Sequence, residues 1–93
     1  MIRKLIQVQA VAGKEAELLE LVQSLVEPSR AENGCVKYDA YANSANTGSI
    51  YIIEEWENAE CLDAHKTTPH FLVFKEKGPA LIDTKSSISL DQI

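Results

Sequence analysis

The chain has 93 residues, 45% hydrophobic and 25% charged, with nine Lys and Arg against fourteen Asp and Glu and a formal net charge of −5. That length allows one domain by the prior of roughly 100–200 residues per domain, and the composition excludes disorder and fibrous repeats. The acidic balance excludes a nucleic-acid or anionic-membrane surface, since both reward clustered Lys and Arg. A chain this short buries only about 60–65% of its unfolded surface, so a cavity of the usual roughly 300–1,000 Å³ competes with the core, and a large pocket here implies a second chain.

Ile6, Val8 and Ala10 alternate with Gln7 and Gln9, the period of a strand over residues 2–11, and Gly13 closes it. The glutamines also interrupt any apolar stretch a secretory signal needs, and no run approaches the roughly 20 apolar residues of a membrane span, so the expected location is cytoplasmic. From Lys14 the period changes. Leu18, Leu19, Val22, Leu25 and Val26 form one apolar stripe opposite Glu15, Glu20, Gln23 and Glu27, which predicts an amphipathic helix to about Glu32, kinked at Pro28 and stopped by Asn33-Gly34.

Residues 35–42 read as a second strand, 43–49 (NSANTGS) as a polar turn, and 49–56 (SIYIIEEW) as a third strand. Asn58 caps a helix over 59–66; Thr67-Thr68-Pro69 breaks and restarts it through about Lys77, and Gly78-Pro79 ends it. Ile88 and Leu90, set among Ser87, Ser89 and Asp91, mark a last strand. The order β-α-β-β-α-β predicts a ferredoxin-like α+β fold, an antiparallel sheet with helices over one face. In the third strand Ile50, Ile52 and Trp56 point one way while Tyr51 and Ile53 point the other, so both sheet faces are apolar. Helices cover only one face, and burying the other is worth about 25 cal/mol per Å². A face-to-face homodimer follows as an expectation.

Candidate functional groups concentrate in Glu54-Glu55-Trp56-Glu57-Asn58 and in His65-Lys66-Thr67-Thr68-Pro69-His70-Phe71. His65 fits either a structural, hydrogen-bonded position at the edge of its helix stripe or a proton acceptor, since an ordinary imidazole titrates near neutral pH. His70, in a first helical turn behind Pro69, fits a structural role better. A metal site from the two histidines lacks further ligands at recognisable spacing, so no metal is expected. Glu54 shares strand parity with Ile52 and Trp56; it is either a carboxylate forced onto an apolar face, with its proton affinity raised, or an edge residue reaching water. Trp56, Tyr38 and Tyr51 are each core anchors or pocket walls. Cys35 and Cys61 lack the number and spacing of a disulfide framework or zinc site and read as reduced. Without a Gly-rich phosphate loop, dinucleotide fingerprint or nucleophile triad, no cofactor held by those means is expected.

Gly13-Lys14-Glu15 before the first helix, Glu32-Asn33-Gly34-Cys35 after it, Glu54-Glu55-Trp56-Glu57-Asn58, and His65-x-x-Thr68-Pro69-His70-Phe71 resemble the antibiotic biosynthesis monooxygenase (ABM) domain family over nearly the whole chain. The resemblance implies one ABM-like domain over 1–93 and a dimeric α+β barrel of ferredoxin-like protomers. It further implies a monooxygenase that oxidises small aromatic or quinol substrates with O₂ and no cofactor, with His65 or Glu54 as proton acceptor and Trp56, Phe71, Tyr51 and His70 shaping the substrate site. In anthrone-oxidising members an Asn and a Tyr flank the tryptophan where this chain has Ile52 and Leu62. A second branch, isomerases of a phosphorylated signal molecule of the phospho-autoinducer-2 type, is similar at His65 to His70 but carries a polar segment at Val26 and a tyrosine at Trp56. A binding module for a small molecule in a stress response, without turnover, is the third expectation.

Overall fold

A computed structural model describes Met1–Ile93. Its elements are β1 (Ile2–Ala10), α1 (Glu15–Arg30), β2 (Cys35–Asn43), β3 (Asn46–Trp56), α2 (Ala59–His65), α3 (Pro69–Lys77), a 3-10 turn at Gly78–Ala80, and β4 (Ile82–Ser89). The strands lie in the order β2-β3-β1-β4, every neighbouring pair antiparallel. This is the ferredoxin-like α+β arrangement, its second helix divided in two at Lys66–Thr68.

Along β3 the helix-facing positions Ile50, Ile52, Glu54 and Trp56 are buried, while Tyr51, Ile53 and Glu55 on the other face are half-buried. From α1, Leu18, Leu21, Val22 and Leu25 pack on Val8, Ile50, Ile52 and Trp56. Leu21 takes the inward position rather than Leu19, which is exposed, because the stripe advances by three and four residues from Leu18. The helix passes through Pro28 and runs on to Arg30. Gly34 then turns the chain at φ 81°, where an added Cβ would collide with Cys61 Sγ, and its carbonyl accepts from Glu57 N at 2.9 Å. That close approach ties the end of α1 to the segment before α2.

The polar run 43–49 departs from the expected open turn. Only Ser44 and Ala45 form the turn, Asn43 Oδ1 accepting from Ala45 N at 2.8 Å, and β3 begins at Asn46 with a register shift that leaves Thr47–Ser49 bulged. β4 also begins earlier than the alternation at Ile88 suggests, because its helix side carries Lys85, Ser87 and Ser89 in place of an apolar row. On the sheet's other face Leu5 pairs with Ile53 and Ile88, and Tyr51 with Tyr41, and no helix covers them. No helix is long and apolar enough to cross a membrane.

Candidate active site

His65 is the last residue of α2, and His70 the second of α3. The break between them is held by Thr68, whose hydroxyl donates to His65 O at 2.7 Å and accepts from Phe71 N at 3.3 Å. Asn58 Oδ1 accepts from Cys61 N at 2.9 Å and starts α2. These caps turn both imidazoles toward the carboxylate of Glu32, two residues past the end of α1. His65 Nδ1 and His70 Nε2 each lie 2.6 Å from the same oxygen, Glu32 Oε2. A carboxylate oxygen only accepts, so both nitrogens carry protons, and His65 Nε2 is left as the ring nitrogen without a partner in the chain.

The trio of Glu32, His65 and His70 brings two imidazoles and a carboxylate within coordination range of one another. A zinc ion about 2.0–2.2 Å from each donor needs those donors more than 3 Å apart, as tetrahedral angles dictate. At 2.6 Å the separations are those of charge-assisted hydrogen bonds, so the arrangement orients a histidine and would have to open by more than half an ångström to hold a metal.

His65 is 2% exposed, and its ring packs on Trp56 with centroids 4.6 Å apart and edge-on to Phe71 at 5.1 Å. Trp56 Nε1 donates to Glu54 Oε1 at 3.2 Å. Burial pushes the Glu54 carboxyl above the usual carboxylate range, against the pull of the Trp56 hydrogen bond and of the ammonium groups of Lys66 and Lys4. Burial, reinforced by the charge of Glu54, raises the Tyr38 phenol as well and keeps it protonated.

His65, Glu54, Tyr38 and Phe71 open onto one cavity of about 210 Å³ between the helix side of the sheet and the pair α2 and α3, walled by Ile6, Ile52 and Phe74. The chain forms this cavity by itself, below the usual size of about 300 Å³ and above. Other expected residues stand elsewhere. Trp56 is fully buried behind His65 and Glu54 and does not line the cavity, and His70 stands behind Glu32. Tyr51 does not line this cavity: it lies on the opposite sheet face, its hydroxyl accepting from Gln7 Nε2 at 3.2 Å, because strand alternation sends it away from Ile52 and Glu54. Glu32 was not anticipated as a site residue. Its signal is an acid just past a helix C-terminus, where the helix dipole favours a cation.

The model of the family described as Antibiotic biosynthesis monooxygenase matches residues 1–77. The sll1783 protein of Synechocystis sp. is 38% identical over 80 residues, 86% of this chain and 54% of that protein, so the match spans about half that relative's length. A Bacillus subtilis protein named "Putative monooxygenase YcnE" is 35% identical over 69 residues, 74% of this chain and 73% of its own. Among solved structures, PA3566 from Pseudomonas aeruginosa superposes with a TM-score of 0.95 at 30% identity, covering 99% of this chain and 93% of that one.

Proposed function

The chain belongs to the antibiotic biosynthesis monooxygenase family, and from that membership we propose that it is a cofactor-independent monooxygenase of small aromatic or quinol substrates. The observation that carries the reading is His65: a buried imidazole held at Nδ1 by Glu32, with its other edge on an aromatic cavity. A carboxylate behind an imidazole fixes the tautomer and stabilises the imidazolium that forms on proton transfer. His65 Nε2 takes a phenolic or activated C–H proton, and the resulting anion passes one electron to O₂. Superoxide and the substrate radical combine in a C–O bond, and the peroxide takes the proton back from His65. Loss of water then leaves a C=O group, one atom of O₂ in the product and the other in water. Nothing in this sequence asks more of the protein than deprotonation, orientation and exclusion of water.

Glu54 is the second polar group on the cavity and the alternative proton acceptor, its proton affinity raised by burial. Phe71 and Tyr38 hold the ring, and Trp56 and His70 position Glu54 and Glu32. The uncovered row Leu5, Ile53 and Ile88 supports a homodimer closed face to face. Oxygen uptake by purified protein with hydroquinones and anthrones tests the reading. Uptake above autoxidation that His65→Ala abolishes is expected; equal rates for wild type, His65→Ala and buffer overturn it, and anaerobic turnover of a phosphorylated dihydroxypentanone would assign the cavity to an isomerase.

A further inference from the structure

On β1 and β4 the helix side of the sheet changes character. Ile6 lies opposite Ser87, Val8 opposite Lys85, and Lys4 opposite Ser89. Lys4, Lys85 and Ser87 line the cavity from the sheet, and Lys66, the residue after His65, lines it from the end of α2. Lys66 and Lys85 are exposed and Lys4 is half-buried, so the three stand on the solvent side of the cavity while Glu54 and His65 are buried within it. Three ammonium groups face one carboxylate, Glu54, and 3 − 1 = +2 even before any charge on His65. The whole chain, by contrast, carries −5.

None of the three lysines is in an ion pair, whereas Arg3, Lys14 and Arg30 each have a carboxylate partner. Lys4 Nζ donates to Ser89 Oγ at 2.8 Å, and Lys85 Nζ lies 5.7 Å from the Phe74 ring centroid. Each ammonium has three donors, so these contacts leave hydrogen-bonding capacity at both groups. A local excess of positive charge beside low-dielectric aromatic walls draws and holds an anion far better than the same lysines spread over a surface.

We infer that the cavity takes a substrate bearing an anionic group (carboxylate, sulfonate or phosphate) held at the mouth by Lys4, Lys66 and Lys85, with its apolar body inward on Phe71 and Phe74. The inference rests on the oxygenase reading only for the fate of the substrate; the anion preference is a property of binding and stands without turnover. It also fixes orientation, because an anion at the lysines turns the opposite end of a small ring toward His65.

The test is equilibrium binding of redox-inert probes to the intact protein, followed by calorimetry and by amide shifts of residues 65–71. Benzoate, benzenesulfonate and phenyl phosphate are each expected to bind at least about tenfold tighter than neutral benzamide, and to weaken as salt is raised. The double variant Lys4→Gln, Lys85→Gln is expected to lose that preference with its melting temperature retained, and Lys85→Arg to keep it. The tightest of the three probes identifies the anion. Equal affinity for benzamide and the anions, or an undiminished preference in the double variant, overturns the inference. With 2,5-dihydroxybenzoate as oxidisable substrate, the double variant is expected to lose at least about tenfold in kcat/KM, a larger loss than it shows with hydroquinone. An anion preference without oxygen uptake leaves this site standing and removes the oxygenase reading; uptake without the preference does the reverse.

Discussion

Glu32 Oε2 holds His65 by Nδ1 at 2.6 Å across 33 residues of sequence, and the same oxygen holds His70 Nε2 at 2.6 Å. One carboxylate thus joins the end of α1 to both sides of the break between α2 and α3. The imidazole it fixes is the one that reaches the cavity.

Glu32→Gln removes the negative charge and offers His65 an amide that donates as well as accepts. The proton on Nδ1 is then no longer enforced, and kcat for oxygen uptake is expected to fall about a hundredfold or more with the fold intact. Nitrogen-detected NMR of the His65 ring checks the cause: a shift from the Nδ1–H form to a tautomer mixture is expected, and an unchanged ring spectrum would count against the orienting role.

His70→Phe deletes one donor to Glu32 and leaves the His65 contact in place. The expected loss in kcat is about tenfold or less, since the second hydrogen bond of the carboxylate only steadies it. A loss as large as that of His65→Ala would show instead that His70 acts on the substrate.

Trp56→Phe leaves Glu54 Oε1 buried without its donor. Removing one partner from a buried pair costs about 1–3 kcal/mol, to be read from urea unfolding. The same change removes a contribution that lowers the Glu54 proton affinity, so the carboxyl titrates still higher in the variant. Stability within about 0.5 kcal/mol of wild type would contradict the assignment of that hydrogen bond.

Glu54 gives the protein a stability slope of definite sign. Its folded-state proton affinity is raised above the ordinary value of 4.5, so the folded chain binds this proton more tightly than the unfolded one. The stabilisation is full below the unfolded value and is lost as pH rises through the folded one. Glu54→Gln does not titrate, so the wild-type melting temperature minus that of the variant should fall as pH rises above the ordinary carboxyl value of 4.5. A difference that rises with pH would reverse the assignment.

Ile53→Lys places a charge in the row formed with Leu5 and Ile88. If that face closes a homodimer, the variant elutes as a folded monomer in size-exclusion chromatography while wild type elutes at twice the mass. A monomeric wild type refutes the dimer.

Much of this architecture is written in side-chain period. The alternation of β3 and the stripe of α1 were legible because burial acts on every second residue of one and every third or fourth of the other. The capping residues Asn58 and Thr68 were legible because a cap is a local hydrogen bond. The start of β4 was hidden, since its cavity side is polar, and the bulge at Thr47–Ser49 resembles an open turn in composition. Glu32 escaped because its partners lie 33 and 38 residues away, and no local pattern records a contact of that range. Parity puts Tyr51 on the face opposite Ile52 and Trp56, where the structure has it, and only the family resemblance drew it to the substrate site.

The polar edge strand has a consequence for divergence within such a scaffold. Buried packing falls to α1, β1, β2 and β3 with Leu62 of α2 and Phe74 of α3, while β4 contributes Lys85 and Ser87 to the cavity and no side chain to the buried core. Part of the cavity lining therefore lies on a strand that the core does not depend on. Substitutions at positions 85 and 87 can alter what the cavity accepts without disturbing the residues that make the chain fold, so relatives that share this fold closely can differ in their substrates through one short edge.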